Sequence, residues 1–373
     1  MLSWVTKISQ RIVLEQIKVL IVVQLLGKLV KVAVVKKVSL VVGLKNHQVL
    51  EVVDSLVDNI SLKETQAQAY YDAANALYDM YIEAADYVIE NELFFDLGIP
   101  FNLIDVIKKS WESDVHWHIY GAFLFSGGLN KQPIKLLEFQ ADTPSKLLQT
   151  SQEQLGENNF NEIYEKVSEN FKRLITLDDG VELFDERYDK WKILFSSPSD
   201  DEEKETTSRF LQQLASEAGF ETSFSYLHEL AFNEDGISDE NGVNYEYWCK
   251  NYSWLDIATD EGELATILTN IMKNQQAIII NPAYTLLFES RGMLKILKEL
   301  YPDSPYLLNV SFEKLDNTVE RTVFGEGEEF KNFKNIYQEE TDDTQNAKVF
   351  FAYEACGLSF VSQEKSFIPH TIN

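Results

Sequence analysis

The chain has 373 residues, 45% of them hydrophobic and 12% aromatic. This is enough apolar material for a large core in two closely packed domains, and it argues against disorder. A formal net charge of −27 argues against a nucleic-acid partner, which needs a basic face. Such a surface suits solubility and attracts cations, a polyamine among them.

In chain order, residues 1–60 stand apart. They hold eight Lys/Arg against four Asp/Glu and a valine-rich run broken by lysines. The longest uncharged stretch, Val19 to Gly27, is too short to span a bilayer, and no small-residue cleavage site follows it. We read 1–60 as an atypical basic segment and 61–373 as the working region. Ser61-x-x-Glu64 reads as a capping box opening a long helix through "YYDAANALYDMY". "HWHIYGAFLF" and "PIKLLEFQA" read as two strands joined through Gly127-Gly128. Residues 151–187 read as polar helix. "FSSPSDDEEKETTS" reads as a loop whose acids suit a helix N-terminus. "GFETSFSYLHEL" reads as a strand, and Thr266 to Pro302 reads as helix, buried strand, helix. "KVFFAYEACGLSFVS" holds two more strands. Strands and helices mixed throughout imply an α/β or α+β fold.

Cys249 and Cys356 are far apart and form no CxxC, so neither a disulfide framework nor a zinc ribbon is indicated, and a reducing cytoplasm fits. His116 and His118 share a strand face but have no third ligand nearby.

"KLLEFQADTPSKLL", Lys135 to Leu148, carries the most chemistry. In a strand, residues i and i+2 point to one side. Glu138 and Gln140 therefore aim two oxygens at one point while Phe139 faces the core. Hard cations such as Mg²⁺ take oxygen ligands, of which one or two are usually carboxylates. The turn at Thr143-Pro144-Ser145 sets hydroxyls and backbone N–H groups beside that point, suited to a substrate carboxylate. A solvated strand end explains the same residues without a ligand.

This stretch resembles the "LLEYNADTP" motif of the glutathionylspermidine synthase family. "YYDAANALYDMY", "IPFNLIDVIKKSWE", "HIYGAFLF", "NPAYTLLFESRGMLKILKELYPDSPYLL", "NIYQ" and "FIPHTI" follow in the family's order. The resemblance covers roughly 62–373 and leaves the first sixty residues unmatched. It implies an ATP-grasp-like fold with a pre-ATP-grasp-type portion. It also implies a carboxylate–amine ligase in which a carboxylate attacks the γ-phosphate of ATP and an amine captures the acylphosphate. The namesake substrates are glutathione and spermidine. Mg²⁺ would accompany ATP, since phosphoryl transfer depends on neutralising developing charge.

By the same resemblance, Glu138 stands at a metal-ligating glutamate and Gln140 at a metal-ligating asparagine. Arg291, Arg321 and Gln338 fall at nucleotide-binding positions, with Thr322 where a proline is expected. Thr143, Ser145 and Asn251 fall at substrate-side positions, and Glu203 at an acid facing the polyamine, although a solvated helix start explains Glu203 as well. The departures are Ala122 for a phosphate-side arginine, Leu124 for a metal-ligating aspartate and Val361 for a second arginine. Where another arginine is expected, either Glu326 stands in its place or a deletion lies beside it. Two functions follow: an ATP-dependent ligase, impaired by these losses, or a non-catalytic nucleotide- or peptide-binding protein on the same scaffold.

Overall fold

The computed structural model describes residues 60–112, 119–129, 131–153, 160–176, 191–233, 235–325, 333–341, 345–362, 367–368 and 370–372. All of them fall within one unit, Glu51–Gln154 with Asn158–Asn373. The valine-rich arm, His116, His118 and Glu326 lie outside the described residues.

The first described strand, β1 (Ile60–Leu62), pairs in parallel with the last, β17 (His370–Ile372). Ser61 is thereby held extended, so the expected capping box does not form. Instead the helix α1 (Glu64–Glu90) starts after Lys63, whose backbone N–H is accepted by the Gln66 side chain at 3.0 Å. The α1 residues Ala67, Tyr70, Ala74, Leu77, Tyr81, Ala84 and Val88 recur every three or four positions and are all buried. That spacing makes one continuous apolar stripe.

After α2 (Ile104–Trp111) come β2 (Gly121–Ser126) and β3 (Lys135–Gln140), the expected pair of strands. Gly127 and Gly128 leave β2 with φ of 74° and 79°. A Cβ on Gly127 would sit 1.9 Å from the Pro133 carbonyl oxygen, so only glycine fits there. The polar segment that follows divides into α3 (Leu147–Glu153) and α4 (Ile163–Thr176).

The stretch read as a loop at Phe195-Ser196-Ser197 is instead the end of β4 (Lys192–Ser197). Its backbone belongs to a central strand, and Ser196 and Ser197 are buried. Asp201 then caps α5 (Glu202–Ala218), accepting from the Lys204 N–H at 2.9 Å, and acids crowd its first turn as expected. The chain continues through β5 (Glu221–Tyr226), β6 (Ala231–Asn233), β7 (Gly236–Ser238), β8 (Asn244–Tyr245) and β9 (Tyr247–Lys250). Helices α6 (Trp254–Thr259) and α7 (Gly262–Lys273), strand β10 (Ile278–Ile280), and helices α8 (Thr285–Glu289) and α9 (Gly292–Leu300) follow. The remaining strands are β11 (Val310–Ser311), β12 (Thr318–Thr322), β13 (Asn335–Glu339), β14 (Gln345–Phe351), β15 (Ala355–Ser362) and β16 (Phe367–Ile368).

Two sheets dominate. One is antiparallel, in the order β16-β15-β14-β2-β3, and the other is parallel, in the order β10-β9-β4-β5. A smaller sheet, β11-β13-β12, stands beside the antiparallel one. The fold is α/β. Helix α1 covers the antiparallel sheet on its apolar face, where Phe123 and Phe139 stack at 3.9 Å between ring centres and meet Tyr81 and Phe288. Phe123, Phe125 and Phe139 are committed to this core, and Ala122, Leu124, Glu138 and Gln140 face the other way. A register shift after Leu124 turns Leu136 to the core and leaves Leu137 on the opposite side.

Candidate active site

Leu124, Leu137, Glu138 and Gln140 make one wall of a cleft. Leu124 lies opposite Glu138 and Ala122 opposite Gln140. Across the next strand Lys348 lies opposite Leu124, and Asn346 lies opposite Val361 one strand further on. Val319 and Arg321 on β12 and Gln338 on β13 contribute from the small sheet. The cleft has a volume of about 550 Å³, and Leu124, Glu138, Gln140, Glu289, Arg291, Arg321, Gln338 and Val361 all line it. The structure therefore brings together five residues that the sequence singles out at separate places: Glu138, Gln140, Arg291, Arg321 and Gln338.

Arg291 joins the two walls. It sits just before α9, and its backbone N–H donates to the Val323 carbonyl at 2.8 Å. Its Nη1 donates to the carbonyls of Thr322 and Gly325 at 3.1 and 2.8 Å. Its Nε and Nη2 both reach Glu138 Oε2, at 3.1 and 2.5 Å. Burial alone would raise the Glu138 carboxyl, but Arg291, Gln140 and the more distant Lys348 together hold it below the usual carboxylate range. Gln338 is buried, and its amide donates to the Leu137 carbonyl at 3.3 Å.

Lys348 is a residue that sequence reasoning missed. Its Nζ donates to Gln140 Oε1 at 2.8 Å and to the Ser145 carbonyl at 3.1 Å. Since Lys348 can only donate, Gln140 must turn its oxygen that way, and its Nε2 then donates to Glu138 Oε1 at 2.6 Å. Burial pushes the Lys348 ammonium down to about 8, against the Glu138 and Glu289 charges that favour it. Glu289, also missed, accepts from the backbone N–H groups of Ala141 and Asp142 at 2.7 and 3.2 Å. Burial first, then the Asp142 and Glu138 charges, push its carboxyl up to about 7.

The turn after β3 is held from below. Asp142 is buried, and its Oδ1 accepts from Lys250 Nζ at 2.6 Å while Oδ2 accepts from the Trp254 N–H at 2.6 Å. Asn281 donates to the Tyr120 and Ala141 carbonyls and accepts from the Ile119 N–H, which pins both strands to the segment after β10. Thr143 and Ser145 are thereby presented beside a smaller hollow that also touches Ala122, Gln140 and Phe350. Lys146, next in the chain, pairs with Glu203 at 2.9 Å, so the first turn of α5 stands over this end. Asn251 is buried, and its side chain donates to the Lys204 carbonyl at 3.0 Å, tying β9 to α5. The departures separate in space. Leu124 and Val361 lie on the cleft wall, whereas Ala122 is packed in the core against the small hollow.

A protein-held Mg²⁺ ion does not fit this arrangement of Glu138 and Gln140. Both Glu138 oxygens and the Gln140 oxygen are engaged by protein donors, two of them cationic, and Leu124 offers no oxygen between them. Among the described residues, no group of three or more His, Cys, Asp or Glu side chains is placed to hold a metal ion.

The model of the glutathionylspermidine synthase pre-ATP-grasp family matches residues 33–369. The chain belongs to this family. The match begins inside the first sixty residues, which had read as unmatched. The bifunctional glutathionylspermidine synthetase/amidase of Escherichia coli is 23% identical over 285 residues, which is 69% of this chain and 44% of that one. The trypanothione synthetase of Crithidia fasciculata is 23% identical over 267 residues, 64% of this chain and 39% of that one. The chain thus spans less than half the length of these relatives. Among solved structures, a glutathione synthetase-like effector from Globodera pallida, in apoform, superposes with a TM-score of 0.52. It is 9% identical, and the match covers 84% of this chain and 89% of that one, so the likeness is one of fold. No described helix is long and apolar enough to cross a membrane.

Proposed function

We propose that this protein is an ATP-dependent carboxylate–amine ligase. The observation that carries the reading is the meeting of Arg291, Arg321 and Gln338 in one cleft that shares Gln140 with the hollow at the Thr143–Ser145 turn. The Arg321 guanidinium lines the cleft, and Arg291, its fork held by Glu138, Thr322 and Gly325, adds a positive charge beside it. Such a cationic wall suits a polyphosphate. Gln338 offers an amide to an adenine edge. The hydroxyls of Thr143 and Ser145 suit the acid substrate. The carboxylate oxygen attacks the γ-phosphorus, ADP leaves, and the acylphosphate forms. The amine nitrogen then attacks the acyl carbon, phosphate leaves, the amide forms and one proton is released.

The family and the relatives point to glutathione as the acid and a polyamine as the amine. A net charge of −27 draws a polycation toward the protein, and Glu203 stands exposed at the turn end of the site. Two buried free cysteines fit a reducing compartment such as the cytoplasm.

The test is phosphate release from ATP in the presence of glutathione and spermidine, with mass spectrometry of the product. Release that needs both co-substrates, together with a conjugate one water lighter than their sum, supports the ligase. Tight ATP binding with no release under any acid–amine pair would replace it by the non-catalytic binder, which the apolar Leu124 and Val361 on the cleft wall favour.

A further inference from the structure

A divalent ion and a lysine ammonium solve the same problem in different ways: each fixes positive charge beside phosphate or carboxylate oxygens. Lys348 has the surroundings for this task. It is 5% exposed and lies between Leu124 and Ser359 in register, behind Leu124 and Asn346, which line the cleft. Both of its acceptors are neutral, the Gln140 amide oxygen and the Ser145 carbonyl. No described carboxylate lies within the ion-pair distance of 4.0 Å, and the charges around it are Glu138, Glu289, Lys146 and Glu203. An ammonium has three donors; two go to these acceptors, and the ammonium also stands 5.3 Å from the centre of the Phe350 ring, a neutral contact that leaves its charge uncompensated. A line of four groups results, Lys348–Gln140–Glu138–Arg291, with a cation at each end. It runs from the acid-substrate turn to the nucleotide cleft.

A metal ion entering between Glu138 and Gln140 would stand against both cations. Leu124, opposite Glu138, supplies no anion to offset that repulsion.

We propose that Lys348 takes the place of a protein-held metal ion in this chain, its ammonium being the fixed positive charge that meets the reacting phosphate where the cleft joins the Thr143–Ser145 turn. This rests on the ligase reading and adds a charge-positioning residue to it. Its consequence is a nucleotide site whose affinity depends on Lys348 more than on a divalent cation.

The test measures ATP binding to the whole protein by calorimetry, once with magnesium and once with excess EDTA. The wild type is expected to keep its affinity in EDTA to within about tenfold. Lys348→Met is expected to weaken binding about tenfold or more in both conditions, the usual loss for one charge-assisted contact. Lys348→Arg, which keeps the charge, is expected to recover part of it. Glu138→Gln decides between the two designs even if Lys348→Met fails to fold. A metal ligand's loss abolishes magnesium-dependent binding, whereas removing a negative charge from a lysine-and-arginine wall leaves ATP binding equal or tighter. If ATP binds only with magnesium and Glu138→Gln abolishes it, the proposal is wrong and the nucleotide-site reading stands. If ATP binds under neither condition, both readings fall.

Discussion

Arg291 Nη2 lies 2.5 Å from Glu138 Oε2, so a guanidinium of the small sheet's side is bound to the carboxylate of the large sheet. Both side chains are largely withdrawn from water. Removing one partner of such a pair strands the other charge, which typically costs about 3–5 kcal/mol when fully buried. Arg291→Met is therefore expected to lose roughly 2–4 kcal/mol in urea unfolding, since the Glu138 end is partly exposed. Adding Glu138→Gln should restore much of the loss, because the amide keeps the shape without the charge. Additive losses in the double variant would show that the two groups act independently.

The Asp142–Lys250 pair makes a sharper case, since both side chains are almost wholly buried. Asp142 also accepts the Trp254 N–H, so it anchors the β3 end to the segment after β9. Lys250→Met is expected to cost about 3–5 kcal/mol. It should also loosen the turn carrying Thr143 and Ser145, which amide exchange at residues 141–147 would report. Unchanged protection there would mean that Asn281, Glu289 and Lys348 hold the turn without the pair.

Part of this site was legible in the sequence because strand parity is a local property. Glu138 and Gln140 had to share a face once Phe139 was inside, and Leu124 and Ala122 followed through a short hairpin. Lys348, Glu289 and Lys250 were not legible. Each stands in an ordinary strand or helix pattern and gains meaning only from a partner far along the chain. Ser61 misled for the same reason. Its spacing to Glu64 suits a capping box, but β1 pairs with β17 from the opposite end of the sequence. The end of β4 was read as loop because its serines look solvated, and their burial comes from the neighbouring strands of the parallel sheet.

Glu289 ties stability to pH. Its folded carboxyl titrates near 7 rather than 4.5. Between those values the native state holds a proton that the unfolded chain has released. Stability therefore falls as pH rises through this window. The contribution is on the order of 2 kcal/mol, discounting about 1.4 kcal/mol per unit for partial exposure. Glu289→Gln keeps an acceptor for the Ala141 and Asp142 N–H groups and cannot ionise. It should gain on the wild type steadily from pH 5 to 7.5 in urea midpoint. Parallel curves for the two proteins would remove Glu289 from the balance.

Restoring the two groups that the family motif carries on β2 has unequal consequences. Leu124 and Ala122 face the same way, but Leu124 opens onto the cleft whereas Ala122 is packed against Phe350 and Leu147. An arginine at 122 must push into that packing and bury its charge, so Ala122→Arg is expected to cost at least about 1–3 kcal/mol. The strand faces alone would suggest that both changes are cheap; the depth of the hollow makes them different. Leu124→Asp places a carboxylate beside Lys348 on the next strand and opposite Glu138. Pairing with the ammonium offsets the repulsion from Glu138, and the cleft supplies water, so stability should change by less than about 1 kcal/mol. The ammonium would then be neutralised by a new anion. ATP binding in EDTA should weaken about tenfold, and magnesium should recover it, because two carboxylates and an amide oxygen now converge. Equal ATP affinity for Leu124→Asp and wild type in EDTA would show that Lys348 does not meet the phosphates.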